Sequence, residues 1–283
     1  MQIKKAMRKQ AKIKLALQGP SGSGKTMSAL LLASGITDYS KIAVICAENN
    51  SAHLYAHLGD YNVLSLSQPF SPERYIEAIE TCENAGMEVI IVDTISAEWE
   101  SQGGILDIHS NMPGNSFTSW NRISPRHNAF IQKMLQSPAH IIATIRTKQD
   151  YVLNEKNGKM IPEKVGLKGV VRDNTDYEFT IVFDLDIKHN ATASKDRTML
   201  FMDKPPYVIT PKHGERILKW CNAGASLEEV KSKIEKSASI VELRDILKAY
   251  PEYRNTIEPL AIKRKESINA EIINATKISG NGQ

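Results

Sequence analysis

Cysteine is scarce in this chain. The three it has, Cys46, Cys82 and Cys221, stand too far apart for a metal-binding or disulfide pattern. A disulfide-stapled scaffold and a cysteine zinc site are therefore excluded, and the composition suits a reducing cytoplasm. Long apolar runs are missing too. Nothing approaches the roughly 18 residues of a membrane-spanning helix, so no membrane span is expected. The N-terminal stretch MQIKKAMRKQAKIK is basic but has no apolar core of the kind a secretory signal needs, so export is not expected. No segment repeats at a fixed period, which removes solenoid architectures. Acids are absent from one place in particular: the first fourteen residues carry six Lys/Arg and no Asp or Glu, although the net charge of the whole chain is a mild +4.

What remains is an ordinary globular composition, 41% hydrophobic and 24% charged over 283 residues. That is room for one sizeable α/β domain and something small beside it. The most specific stretch is LALQGPSGSGKTMSALLLASG, from Leu15 to Gly35. It meets the G-x-x-x-x-G-K-[ST] pattern in full with Gly19, Gly24, Lys25 and Thr26. The residues before it, KIKLALQ, alternate as a strand does, and those after it read as a helix. Strand, glycine loop and helix together are the P-loop arrangement. In it the backbone N–H groups around Gly19, Ser21, Gly22, Ser23 and Gly24 curl about a phosphate chain, helped by the helix N-terminus. Lys25 reaches the β- and γ-phosphates of ATP and the Thr26 hydroxyl ligates Mg²⁺.

Further along, KIAVICAE, EVIIVD and HIIATIR read as buried strands, and NNSAHLYAHLG as a short helix. SPERYIEAIETCENAG is a helix capped by Ser71 with Pro72 at its first position and Gly86 at its end, and SPRHNAFIQKMLQ repeats that Ser-Pro start at Ser124 and Pro125. The alternation predicts a mostly parallel sheet with helices on both faces. From Thr147 the pattern changes to a long polar segment with a type I′ turn signal at Asn157-Gly158. DYEFTIVFDLDI, RTMLFMD and YVIT follow as strands of an antiparallel extension. The expected division is an ATPase core over residues 1–222, its first eleven residues a basic arm, and a charged helical appendage with a polar tail over residues 223–283.

Two carboxylates stand where this chemistry needs them. Asp93 ends the apolar run VIIVD, as the metal-side acid of a P-loop site does. Glu48 follows the IAVICA strand, and strand ends of an open α/β sheet face the ligand crevice. It can serve as a general base or water-positioner, or as an acid favouring the next helix dipole.

IAVICAENNSAHLYAHL followed by VIIVDTISAEWE resembles the RecA recombinase core. The chain is most similar to short phage-encoded RecA-like ATPases linked to recombination and single-strand annealing, on SWNRISPRHNAFIQKMLQSPAHIIATIRTKQDYV and EKVGLKGVVRDNTDYEFTIVFDLD. The resemblance implies a RecA-like P-loop fold and Mg²⁺-dependent ATP hydrolysis, with Glu48 activating water and Asp93 holding the metal. It implies a sensor at Arg146 or Thr147, where Ile-Arg-Thr replaces the family's Asn-Gln. It also implies a basic pair, Lys195 and Arg197, that completes the site of a neighbouring subunit in a ring or filament; the same pair reads equally as a solvated turn.

Phage or host recombination and replication proteins would be further partners, in the cytoplasm of a bacterial host. Single-stranded DNA would track along the segment from Arg146 to Arg172, which carries seven Lys/Arg against three acids. Its candidate contacts are Lys148, Lys156, Lys159, Lys164, Lys168 and Arg172, against the alternative of an ordinary solvated loop.

Rival readings are a helicase-like or loader motor, a nucleotide-gated binding protein with little turnover, and a GTPase. The last rests on TKQD at Thr147–Asp150, but Ser96 stands where a GTPase places a γ-phosphate-sensing glycine. His53 and His57 have the i,i+4 spacing of a helical metal pair without a third ligand. Trp99, Trp120 and Trp220 read as packing residues.

Overall fold

The computed structural model describes residues 11–156, 159–223 and 227–280. In chain order it contains β1 (Lys14–Gly19), α1 (Lys25–Ile36), β2 (Ile42–Cys46), β3 (Asn62–Ser65), α2 (Pro72–Asn84), β4 (Val89–Asp93), α3 (Ser96–Glu100), α4 (Ile105–Ser110), α5 (Ser116–Gln136), β5 (His140–Lys156), β6 (Lys159–Gly169), β7 (Ile181–Leu185), β8 (Asn190–Asp196), β9 (Tyr207–Val208) and α6 (Pro211–Asn222), then α7 (Leu227–Lys236), α8 (Ile240–Ala249) and α9 (Arg254–Gly280). By contacts the chain falls into two compact units, residues 12–214 and a second that comprises the residues on either side of them.

The first unit is built on one sheet in the order β3-β2-β4-β5-β1-β7-β8-β9, with β6 paired to β5. The pairs from β3 through β7 are parallel, while β7-β8 and β8-β9 are antiparallel. Strands β2 and β4 are buried along their whole length, as their unbroken apolar sequences require. On one face Ala43, Ile45, Ile90, Val92, Ile141 and Ala143 pack with Tyr75 and Ile79 of α2 and with Phe130 and Met134 of α5. The alternate residues Val44, Ile91 and Ile142 are equally buried and, by the two-residue period of a strand, face the other side. This is the mostly parallel P-loop sheet with an antiparallel extension that the sequence predicts. The start of α2 is as read: Ser71 is the cap residue and Pro72 the first helical residue, with Gly86 at φ 73° after the end.

Three expectations are corrected. The helix expected to begin at Ser124 and Pro125 begins at Ser116, and Pro125 lies inside it. RTMLFMD is a turn and not a strand. The buried Asp196 carboxylate accepts from the N–H groups of Thr198 (2.7 Å), Phe201 (2.7 Å) and Met202 (3.2 Å), and this folds the chain back. The strand is instead the polar NATASKD before it, where the buried Ala191 and Asp196 face inward. Finally, β5 does not stop at Arg146. It runs on to Lys156 and pairs antiparallel with β6, Thr147 opposite Gly169 and Lys156 opposite Lys159, so the hairpin expected in this polar segment is a direct extension of the core strand. The turn signal Asn157-Gly158 lies outside the described residues, as do residues 1–10, which make up nearly all of the basic arm.

In the second unit α7, α8 and α9 bury Val230, Ile234, Leu243, Ile257, Ala261 and Ile268. Lys233 Nζ donates to Tyr250 Oη at 2.6 Å and Arg264 Nε to the Ser237 carbonyl at 3.0 Å. Ala11 N–H bonds the Cys221 carbonyl at 3.2 Å. All three cysteines are buried thiols. No helix among the described residues is long and apolar enough to cross a membrane.

Candidate nucleotide site

The glycine loop turns sharply out of β1 into α1 because Gly22 (φ 78°) and Gly24 (φ 83°) take left-handed backbone that side chains resist. Gly19 is needed for another reason: a Cβ there would fall 2.5 Å from Ser23 Oγ and 2.6 Å from the Leu185 carbonyl. Gly24 serves as the N-cap of α1, and Ser28 N–H closes the first turn on its carbonyl at 2.9 Å. Lys25 Nζ is folded over the loop, donating to the carbonyls of Gly19 (3.0 Å) and Pro20 (2.9 Å). Burial pulls its ammonium below the ordinary lysine range, opposed by the charges of Glu48 and Asp93. Ser21 lines the cavity beside this loop, while Ser23 is fully buried and its hydroxyl makes no hydrogen bond among the described residues.

Asp93 ends β4 and is 1% exposed. Its Oδ2 accepts from Thr26 Oγ1 at 2.7 Å and its Oδ1 from Thr144 Oγ1 at 2.5 Å. Burial pushes its carboxyl up; the two threonine hydrogen bonds and Lys25 counteract it. One hydroxyl and one carboxylate side by side at a helix N-terminus are hard oxygen donors. They suit a magnesium ion that takes its other ligands from phosphate and water. Among the described residues no cluster of three or more His, Cys, Asp or Glu could hold a metal by itself.

Glu48 stands two residues beyond β2, where Ala47 N–H is fastened to the Asp93 carbonyl at 2.7 Å. Across from it, Arg146 on β5 lies in register with Gly19 on β1. Arg146 Nε and Nη2 both approach Glu48 Oε1 at 2.8 Å, although 98 residues separate them in the chain. Arg146 N–H is in turn fixed to Ser96 Oγ at 2.9 Å. The cavity between these groups and the P-loop is about 550 Å³ and also reaches Tyr55, Thr147 and Lys148. Thr147 Oγ1 is buried without a hydrogen-bond partner among the described residues. The structure thus gathers Gly22, Gly24, Lys25, Thr26, Glu48, Asp93 and Arg146 at one place.

It does not bring Lys195 and Arg197 there. Lys195 Nζ bonds the carbonyls of Asp176, at 3.2 Å, and Tyr177, and Arg197 Nη2 bonds that of Tyr177 at 3.3 Å. Of the basic segment, Lys148, Lys168 and Arg172 sit near the base of the hairpin, while the side chains of Lys156, Lys159 and Lys164 lie outside the described part. His53 and His57 are exposed on a 3-10 segment, Ser51–Leu58, in which i and i+3 positions eclipse and i+4 positions do not. The reading from sequence missed Thr144, Tyr55 and the Glu48–Arg146 pair. Thr144 left a signal, a lone hydroxyl inside the buried run IIATIR.

A glycine loop on a helix N-terminus, with Lys25, Thr26 and Asp93 converging on it beside a parallel sheet, defines a P-loop nucleotide-binding domain. A family model described as an AAA domain matches residues 11–219, well over half of the chain, and the protein belongs to that family of nucleotide-binding ATPases. No curated protein matches the chain.

Proposed function

We propose that the protein is a Mg²⁺-dependent ATPase whose turnover is coupled to single-stranded DNA, acting as a homo-oligomer in a phage-type RecA-like recombination or annealing reaction. The observation that carries the reading is the course of β5. Within five residues it supplies Thr144 to Asp93, Arg146 to Glu48, and Thr147 and Lys148 to the nucleotide cavity, and then continues as the hairpin with β6.

In the mechanism the backbone amides from Gly22 to Thr26 and the Lys25 ammonium hold the phosphate chain. Thr26 and Asp93 would hold Mg²⁺, which when bound would neutralise charge on the phosphate oxygens. Glu48 orients the attacking water and takes its proton. In the free protein that carboxylate is occupied by Arg146, so a γ-phosphate that draws the guanidinium to itself leaves Glu48 available for water. Arg146 thereby acts as the sensor. Lys195, on β8, and Arg197, just after it, lie outside their own chain's pocket and would complete the neighbouring subunit's site under this reading.

GTP is disfavoured by position. Thr147–Asp150 is strand paired with Gly166–Gly169, and Thr147 and Lys148 line the cavity that also holds Glu48, so TKQD is no free base-reading loop.

ATP turnover with and without single-stranded DNA, at low and moderate salt, tests the proposal alongside Glu48→Gln. Stimulation that fades with salt and disappears in the variant is expected. Turnover indifferent to DNA would refute the coupling and leave an ATPase governed by a protein partner.

A further inference from the structure

A second cavity, of about 570 Å³, lies at the base of the hairpin and is lined by Trp99, Trp120, Lys148, Lys168 and Arg172. That is within the size range of pockets that hold a small flat ligand. The two indoles, from α3 and α5, stack with centroids 6.0 Å apart and planes 24° from parallel. The His109 ring stacks on Trp120 at 4.3 Å. His127 and Trp99 meet at a steep angle with ring centroids 5.4 Å apart, and His127 Nδ1 is fixed by both oxygens of the buried Glu98, at 3.1 and 3.0 Å. The two indoles are therefore packed by neighbouring rings, and both keep partial exposure.

Around it stand three cations. Lys168 pairs with Asp173 at 2.7 Å, Arg172 Nη1 donates to Asn128 Oδ1 at 3.2 Å, and Lys148 is exposed and lines the nucleotide cavity as well. Packing alone accounts for buried tryptophans. It does not account for a half-open indole pair facing a cavity with three cations and one carboxylate among its charged groups.

We propose that this cavity takes an unstacked base of single-stranded DNA, which lies against the Trp99–Trp120 wall while Lys148, Lys168 and Arg172 meet the flanking phosphates. The ligand class follows from the pairing of chemistries: a flat π-face beside regularly spaced anions is what a nucleic-acid strand offers, and only an unpaired base exposes its face. The inference rests on the reading of the protein as a single-stranded DNA binder, and it adds the site and the means. Because Lys148 borders both cavities, a strand seated here touches the wall of the nucleotide site directly.

The experiment compares labelled oligo(dT) with the same backbone carrying abasic sites, using the full chain and fluorescence anisotropy over a salt series. Stacking predicts that the abasic strand binds wild type about five- to one-hundred-fold more weakly. Trp120→Leu removes that preference and leaves the salt slope unchanged, whereas Trp120→Phe keeps part of it. Lys148→Gln or Arg172→Gln lowers the salt slope by about one and keeps the preference.

Equal binding of dT and abasic strands by wild type, with salt-sensitive affinity intact, overturns the aromatic site and spares the DNA reading. Failure of wild type to bind either strand at low salt overturns the DNA reading itself. Should Trp120→Leu not fold, the wild-type comparison still decides, since it needs no variant.

Discussion

The substitution Asp93→Asn should make the protein more stable and nearly inactive at once. The side chain is 1% exposed, and its two oxygens are met by Thr26 Oγ1 at 2.7 Å and Thr144 Oγ1 at 2.5 Å. Asparagine has the same shape, and a threonine hydroxyl accepts as readily as it donates, so both contacts survive with one reversed. Each contact falls from a charge-assisted to a neutral hydrogen bond, a loss of about 1 kcal/mol apiece. Against that stands the desolvation of a buried carboxylate, several kcal/mol after relaxation, which a neutral side chain does not incur. The net expectation at pH 7 is a gain of about 1–2 kcal/mol, or a melting temperature higher by about 2–8 °C in a domain of this size. Calorimetry of the nucleotide-free protein, or urea midpoints at unchanged m-value, measures it. Turnover should fall by at least about 10²-fold, because the carboxylate charge that would hold the metal under the proposed function is gone. The rise in melting temperature expected for wild type with Mg-ATP should be lost in the variant. A variant that melts several degrees lower, or that still turns over, would refute the reasoning and make Asp93 a structural residue.

Arg146→Gln and Glu48→Gln should each lower kcat, Glu48→Gln by about 10²- to 10⁴-fold. Their ion pair is 42% and 28% exposed, worth under about 1 kcal/mol, so neither should move the melting temperature by more than a few degrees. A double-mutant cycle on kcat, checked against melting, separates the catalytic from the structural share; additive effects on kcat would show that the two side chains do not work as a unit. A pH dependence follows from His140. Its ring is buried, accepts Ile13 N–H at Nδ1 (3.1 Å), and is held neutral well below the ordinary histidine range by burial. The unfolded chain therefore takes up the proton first. Stability is fully present above about pH 6.5 and is lost below it, with a slope approaching about 1.4 kcal/mol per pH unit. His140→Asn keeps an acceptor for Ile13 and should flatten that slope; urea midpoints at pH 7.5 and 5.5 that shift equally in both proteins would contradict this.

The nucleotide loop is legible in the chain because its chemistry needs consecutive residues at fixed spacing, and Asp93 because a buried strand ending in an acid leaves a local pattern. The Glu48–Arg146 pair is not legible. It exists because β5 is inserted between β1 and β4, and that strand order is written nowhere near either residue. The start of α5 misleads because Pro125 is favoured at a first helical turn, yet here the helix runs through it. Strand β8 is hidden by its polar composition: only Ala191 and Asp196 are buried, and the apolar stretch after it is a turn organised by the Asp196 carboxylate. Trp99 and Trp120 read as packing residues when taken singly. What they share with Lys148, Lys168 and Arg172 is a cavity, which only the fold assembles.

That fold also bears on how nucleotide and nucleic acid would communicate. Long-range coupling needs an element with two arrangements that both sites bias. Here no long path is required. Thr144, Arg146, Thr147 and Lys148 are successive or alternate residues of one strand, with Thr144 on Asp93, Arg146 on Glu48, and Lys148 on the walls of both cavities. A guanidinium that leaves Glu48 for a phosphate moves two residues from the lysine proposed to meet DNA. The β5–β6 pairing shifts register between Asp150 and Tyr151, just beyond that lysine, so the irregularity in the ladder lies on the outer side of the coupled residues and leaves them in the regular part of the strand. Under the proposed function, the exchange of Arg146 between carboxylate and phosphate is the two-state element, and the strand that carries it is the shortest connection the sheet allows.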